Sequence, residues 1–243
     1  MFILGSYWWV LIPGFLLAMW AQWKVRSAFE KYSQVAASSG LTGAEVAREL
    51  LARAETDSPE AAAALQAVQV TQTPGELTDH YDPRGRVLRL SEPIYNSNSL
   101  AALGIAAHET GHALQHAKGY GPLGLRSALL PAANIGSKLA FPLFFIGFIF
   151  GLGADGGGFG VLLMDIGILF FIGAVAFTLM TLPVEFNASR RAIALLQEGG
   201  FLRTDELPGA KAVLNAAALT YLAAAAMALL QLLYLVLLRN QRN

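Results

Sequence analysis

Four long apolar runs constrain this chain more than any other feature. They occupy residues 1–23, 134–153, 159–182 and 212–238. A helix of roughly 20 apolar residues crosses the hydrocarbon core of a bilayer. Within lipid the backbone must satisfy its own polar groups, so runs of this length predict helices. The chain is 55% hydrophobic and 14% charged, and the apolar excess lies in these runs. Between them fall two polar segments, residues 24–133 and 183–211. The expected fold class is therefore mainly α: a polytopic membrane protein with about four transmembrane helices and a small polar domain.

Trp8, Trp9, Trp20 and Trp23 lie toward the ends of the first run, where amphipathic rings favour the headgroup level. No basic residue precedes that run and no small-x-small cleavage site ends it, which reads as a retained anchor. In the second run Gly147-x-x-x-Gly151 permits close helix packing. The Gly-rich residues 154–158 read as a turn between two spans. Lys24, Arg26 and Lys31 follow the first run directly, and Arg190, Arg191, Arg203 and Lys211 lie between the third and fourth. The positive-inside rule then assigns both polar segments to the cytoplasm, with Arg239 and Arg242 counting the other way.

In the larger polar segment, Thr42-Gly43-Ala44-Glu45 has capping-box spacing and opens a helix. Ser58-Pro59 reads as a second helix start. Asp82-Pro83-Arg84-Gly85 is a turn leading into the alternating Arg86-Val87-Leu88-Arg89-Leu90, a strand or hairpin arm. Residues 99–118 form a predicted Ala-rich helix.

That helix carries His108-Glu109-Thr110-Gly111-His112. Two imidazoles one turn apart face the same way and can share one ion. Glu109 is placed to hold a water rather than the metal. Zinc lowers the pKa of such a water to about 7, and a neighbouring carboxylate can take its proton as it attacks a peptide carbonyl. The flanking Ile105, Ala106, Ala107, Ala113 and Leu114 describe a buried helix, in which polar side chains need partners. With no cysteine and only four histidines in the chain, any metal must be held by His, Asp or Glu. A neutral net charge gives no reason to expect a nucleic-acid partner.

A catalytic zinc takes three protein ligands. The metzincin position for a third His is Lys118, which excludes that arrangement. His116 is on nearly the same face but poorly placed for the same ion, and a solvated or hydrogen-bonded His at the end of the helix is the alternative. Glu185, just after the third run, is the stronger candidate; the alternative is an interfacial carboxylate paired with Arg190 or Arg191. Ser189, one turn later, occupies a position from which it can brace the ligands.

Leu77-Thr78-Asp79-His80-Tyr81-Asp82-Pro83-Arg84, Ala106 through Gln115, and Pro183-Val184-Glu185-Phe186-Asn187-Ala188-Ser189 together resemble the YugP-type neutral zinc metallopeptidases of bacterial membranes. The resemblance covers essentially the whole chain. It implies a gluzincin-like cytoplasmic domain in a multi-pass protein of the bacterial inner membrane. One Zn2+ per chain would be held by His108, His112 and Glu185, with Glu109 as catalytic base. More distantly the chain is similar to HtpX and to the CAAX prenyl endopeptidases, which usually carry Asp where this chain has Ser189. For such a peptidase the partners are a polypeptide substrate and the lipid bilayer. His80, Tyr81 and Arg190 are candidate oxyanion donors. The strand Val87, Leu88, Arg89 and Leu90 is expected to act as an edge that aligns substrate.

The expected function is zinc-dependent endopeptidase action on membrane-associated or misfolded proteins. A non-catalytic zinc-binding scaffold is the alternative, against which Glu109 argues. A transporter is the weaker third reading, because the runs hold few ionisable groups beyond Asp165 and Lys138.

Overall fold

A computed structural model describes residues 7–56, 58–151 and 157–241. A 3-10 turn, Trp8–Leu11, leads into α1 (Ile12–Ser33). There follow α2 (Gly43–Arg53), α3 (Pro59–Gln66), β1 (Gln69–Thr73), β2 (His80–Asp82), β3 (Val87–Ser91), α4 (Glu92–Tyr95) and α5 (Leu100–Ala117). Three long helices complete the chain: α6 (Gly121–Phe150), α7 (Gly157–Glu198) and α8 (Leu207–Asn240).

The chain divides into two compact units. The first comprises residues 1–21, 125–182 and 220–243; the second comprises residues 22–124 and 183–219.

Among the described residues, three helices rather than four are long and apolar enough to cross a membrane: α6, α7 and α8. The first apolar run does not join them. Met1–Ser6 of that run lies outside the described residues, and the helix that follows carries Lys24, Arg26, Glu30 and Lys31 within α1. The other helices extend past their apolar runs. Thus α6 begins well before residue 134, and α7 continues beyond residue 182 through Pro183 to Glu198. A helix does not stop where hydrophobicity stops; it stops at a break in backbone geometry, here Gly199 and Gly200, the latter at φ 68°.

In the first unit Ala140, Phe144, Met164, Phe171, Val175 and Leu235 form a core. Gly147 faces the Gly160 carbonyl so closely that a Cβ on it would stand 2.5 Å from that oxygen, so small residues set this helix approach. Asp165 takes a two-pronged bond from Arg239, at 2.9 and 3.1 Å. The Gly-rich turn expected at residues 154–158 falls largely outside the described residues, as does Arg242.

The second unit is built around α5. Leu103 and Ala107 pack with Val46, Leu50, Leu196, Phe201 and Leu214. On another face Ala102, Ala106, Ala113 and Leu114 pack with Leu51, Leu65, Leu88, Leu90 and Ile94. A helix covered by two cores must be apolar nearly all round, which explains the run of Ala and Leu. Thr42 and Glu45 form a reciprocal capping box on α2, Ser58 caps α3, and Ser99 caps α5.

The sheet has the order β1-β3-β2, with β1 parallel and β2 antiparallel to β3. The expected turn joins β2 to β3, with Asp82 accepting from the Arg84 amide and Arg86 at φ 51°. The edge-strand expectation for Val87–Leu90 is corrected: β3 is the middle strand. Val87, Leu88 and Arg89 have partners on both sides, so these three leave no backbone edge for a substrate, while Leu90 pairs with Gln72 of β1. β1 was not anticipated, because Gln69-Val70-Thr71-Gln72-Thr73 is mostly polar and its pairing with β3 is non-local.

Candidate metal centre

His108 and His112 lie one turn apart on α5, their rings edge to face at 4.8 Å between centroids. Glu185 reaches them from α7. Its Oε2 is 3.2 Å from His108 Nε2 and 3.5 Å from His112 Nε2. The convergence depends on how closely the two helices approach. A Cβ added to Gly111 would lie 2.8 Å from the Ala188 carbonyl oxygen and 3.3 Å from the Ala188 Cα. Only a residue without a side chain allows α7 so near, and Ala188 lies between Glu185 and Ser189 in sequence.

The donor chemistry fits zinc. One ligand atom from each of His108, His112 and Glu185 lies within 4.8 Å of the others, and all three residues are buried. Two ligands at 2.0–2.1 Å from a tetrahedral zinc stand about 3.3 Å apart, close to the 3.2 and 3.5 Å that separate the Glu185 carboxylate from the two histidines. The far nitrogen of each imidazole also has a polar partner. His108 Nδ1 is 3.1 Å from Ser189 Oγ, and His112 Nδ1 is 3.0 Å from Gln115 Oε1. Such bonds orient a ligating His and leave Nε2 free for the metal.

Glu109 is buried, at 8% exposure. Burial opposes charge on His112, yet the hydrogen bond to Glu185 and the charges of Glu109 and Glu185 together hold its pKa above the ordinary value. Asp79 is raised, chiefly by burial, against the bonds that Ser91 donates to it through its amide and hydroxyl; the Glu109 charge adds to the rise.

The other predicted residues are arranged differently. Tyr81 and His116 meet each other, with Tyr81 Oη 2.8 Å from His116 Nδ1, beside a small cavity lined by Ala64, Arg86 and Ala113. Burial pushes the Tyr81 hydroxyl up to about 12. His116 is lowered, first by burial and then by the Arg86 charge. His80 Nδ1 is 2.8 Å from the Thr78 carbonyl, and Arg190 is exposed. Arg191 donates to Asn187 Oδ1 at 2.7 Å.

Gln115 and Asn187 were not anticipated. Gln115 is fully buried, three residues after His112, and that i,i+3 spacing is the one sequence signal that points to it.

Comparison with known proteins points to zinc chemistry. Residues 7–240 match the family described as "Putative neutral zinc metallopeptidase". The chain is also 49% identical over 222 residues to "Putative membrane protease YugP" of Bacillus subtilis (strain 168), covering 91% of each chain. No solved structure matches it. A match over nearly the full length, spanning both helices that bring His108, His112 and Glu185 together, makes this chain a member of that zinc metallopeptidase family.

Proposed function

We propose that the protein is a membrane-embedded zinc endopeptidase with His108, His112 and Glu185 as metal ligands and Glu109 as general base. One observation carries the reading: three donors from two helices, 77 residues apart in sequence for His108 and Glu185, come within 4.8 Å of one another. Zinc held there supplies Lewis acidity and a water of pKa about 7. Glu109 takes a proton from the attacking water and returns it to the departing amine. Because Glu109 is largely shielded from solvent, its charge acts at low dielectric on the groups around it.

On this reading the N-terminal helix is a fourth span, the second unit faces the cytoplasm of a bacterial cell, and substrates are membrane-associated or misfolded polypeptides. The family membership and the three membrane-capable helices support it. Substrate alignment by strand addition would then fall to β1 or β2, the outer strands of the sheet.

The test is zinc stoichiometry of detergent-purified protein, paired with degradation of an unfolded substrate. The wild type should hold one zinc per chain, and Glu185→Ala should hold it far more weakly. Glu109→Gln should keep the metal and lose at least about 100-fold in rate, at the low end for removal of a general base. Equal degradation by wild type and Glu109→Gln would exclude catalysis at this site, leaving a zinc-binding scaffold.

A further inference from the structure

Gln115 bonds both to one of the candidate ligands and to the helix that carries another. Its Oε1 lies 3.0 Å from His112 Nδ1. Its Nε2 lies 2.9 Å from the Val184 carbonyl and 2.9 Å from Asn187 Oδ1. Val184 immediately precedes Glu185 on α7. One buried amide therefore joins the second His to the helix that carries the carboxylate.

The direction of each bond follows from the two ends of this chain. The Val184 carbonyl can only accept, so Gln115 must turn its NH2 group toward α7. Arg191 can only donate, and its Nε bonds Asn187 Oδ1 at 2.7 Å, so Asn187 presents oxygen rather than nitrogen to Gln115. Both constraints place Gln115 Oε1 toward His112. An oxygen there requires a proton on His112 Nδ1, and in the neutral ring that leaves the Nε2 lone pair for a metal. A buried amide turned the other way would leave two acceptors facing each other without a proton.

We propose that Gln115 is a positioning residue for His112, itself oriented by Val184 and by the Asn187–Arg191 pair, and that this clasp holds the metal-binding arms of α5 and α7 in register. The proposal rests on the metal site described above. It assigns Asn187 and Arg191, which reach neither His directly, an indirect influence on metal affinity.

The experiment measures zinc affinity of full-length, detergent-purified protein by competition with a chromophoric chelator. Gln115→Met keeps side-chain length and removes both polar ends; it should weaken zinc by about 10- to 100-fold, as lost outer-shell partners do. Asn187→Leu should weaken it in the same direction, whereas Asn187→Asp, which still accepts from Gln115 and Arg191, should restore affinity to within about threefold. In zinc-loaded protein with isotope-labelled histidine, the His112 Nδ1 proton should be protected from exchange in the wild type and in Asn187→Asp. It should exchange freely in Gln115→Met, a change that a purely structural role would not produce. Should Gln115→Met fail to fold, judged by helicity and metal-free thermal midpoint, the two Asn187 variants carry the comparison. Wild-type affinity and proton protection in Gln115→Met and Asn187→Leu would overturn the clasp and leave the metal site standing. A wild type without zinc affinity would overturn the metal site and the clasp with it.

Discussion

At the scale of single residues, the site is set by a hydrogen atom where a methyl group would be expected to help. Gly111 is inside a helix, where Ala is ordinarily better by about 1 kcal/mol. Here the added Cβ would meet the Ala188 backbone at 2.8 Å, and a backbone cannot swing aside as a flexible side chain does. Overpacking of this kind costs about 1–3 kcal/mol, so the clash should outweigh the propensity gain. Gly111→Ala is expected to lower the thermal midpoint and to weaken zinc by about tenfold or more, each tenfold being 1.4 kcal/mol. Chelator competition checks it; unchanged affinity would mean that α7 tolerates displacement without moving Glu185. The same residues show what could be read in advance. His108 and His112 announce themselves because their relation is local, one helical turn. The position of Glu185 after an apolar run pointed to a second helix, and the structure brings its carboxylate to the pair. Gln115 stayed hidden because its role depends on acceptors of α7, which no local spacing discloses.

At the scale of elements, the boundaries set by local chemistry were legible and those set by tertiary pairing were not. Thr42, Ser58 and Ser99 each cap a helix through their own side chains, and such caps are visible in sequence. The sheet was only partly visible. β3 showed its alternation, but whether a strand is central or at an edge depends on neighbours elsewhere in the chain, and β1 pairs with it in parallel across a long connection. The long helices overran their apolar runs because a helix continues through polar residues until the backbone breaks, as α7 does at Gly199 and Gly200. Among the caps, Ser99 matters most to the site, since it begins the helix that carries His108 and His112. It is 3% exposed and accepts from the Ala102 amide at 3.2 Å. Ser99→Ala leaves that buried end unsatisfied and should cost about 1–2 kcal/mol, read as a lower thermal midpoint in metal-free protein. Ser99→Asp should recover part of the loss through its own cap acceptor. Equal loss in both would indicate that packing around the hydroxyl, rather than capping, is what the position needs.

At the scale of the whole molecule, the open matter is which polar segments share a side of the membrane. The basic residues after the first run and those between the third and fourth argue for the cytoplasm. Arg239, which argued the other way, has its guanidinium matched to Asp165 by two bonds, so it stands within a local ion pair rather than as an isolated positive charge. The absence of cysteine from the sequence provides a clean background for labelling. Single cysteines at the exposed positions Glu76, Thr204 and Gly158 sample the larger polar segment, the shorter one and the start of α7. In right-side-out vesicles, a membrane-impermeant maleimide should modify Gly158→Cys at once and reach Glu76→Cys and Thr204→Cys only after permeabilisation. The inverse pattern would keep three or four spans and reverse the orientation, placing the metal site outside. Labelling of Gly158→Cys and Thr204→Cys on the same side would mean that α7 does not cross. That result would detach Glu185 from the end of a membrane span while leaving its bond to His108 untouched.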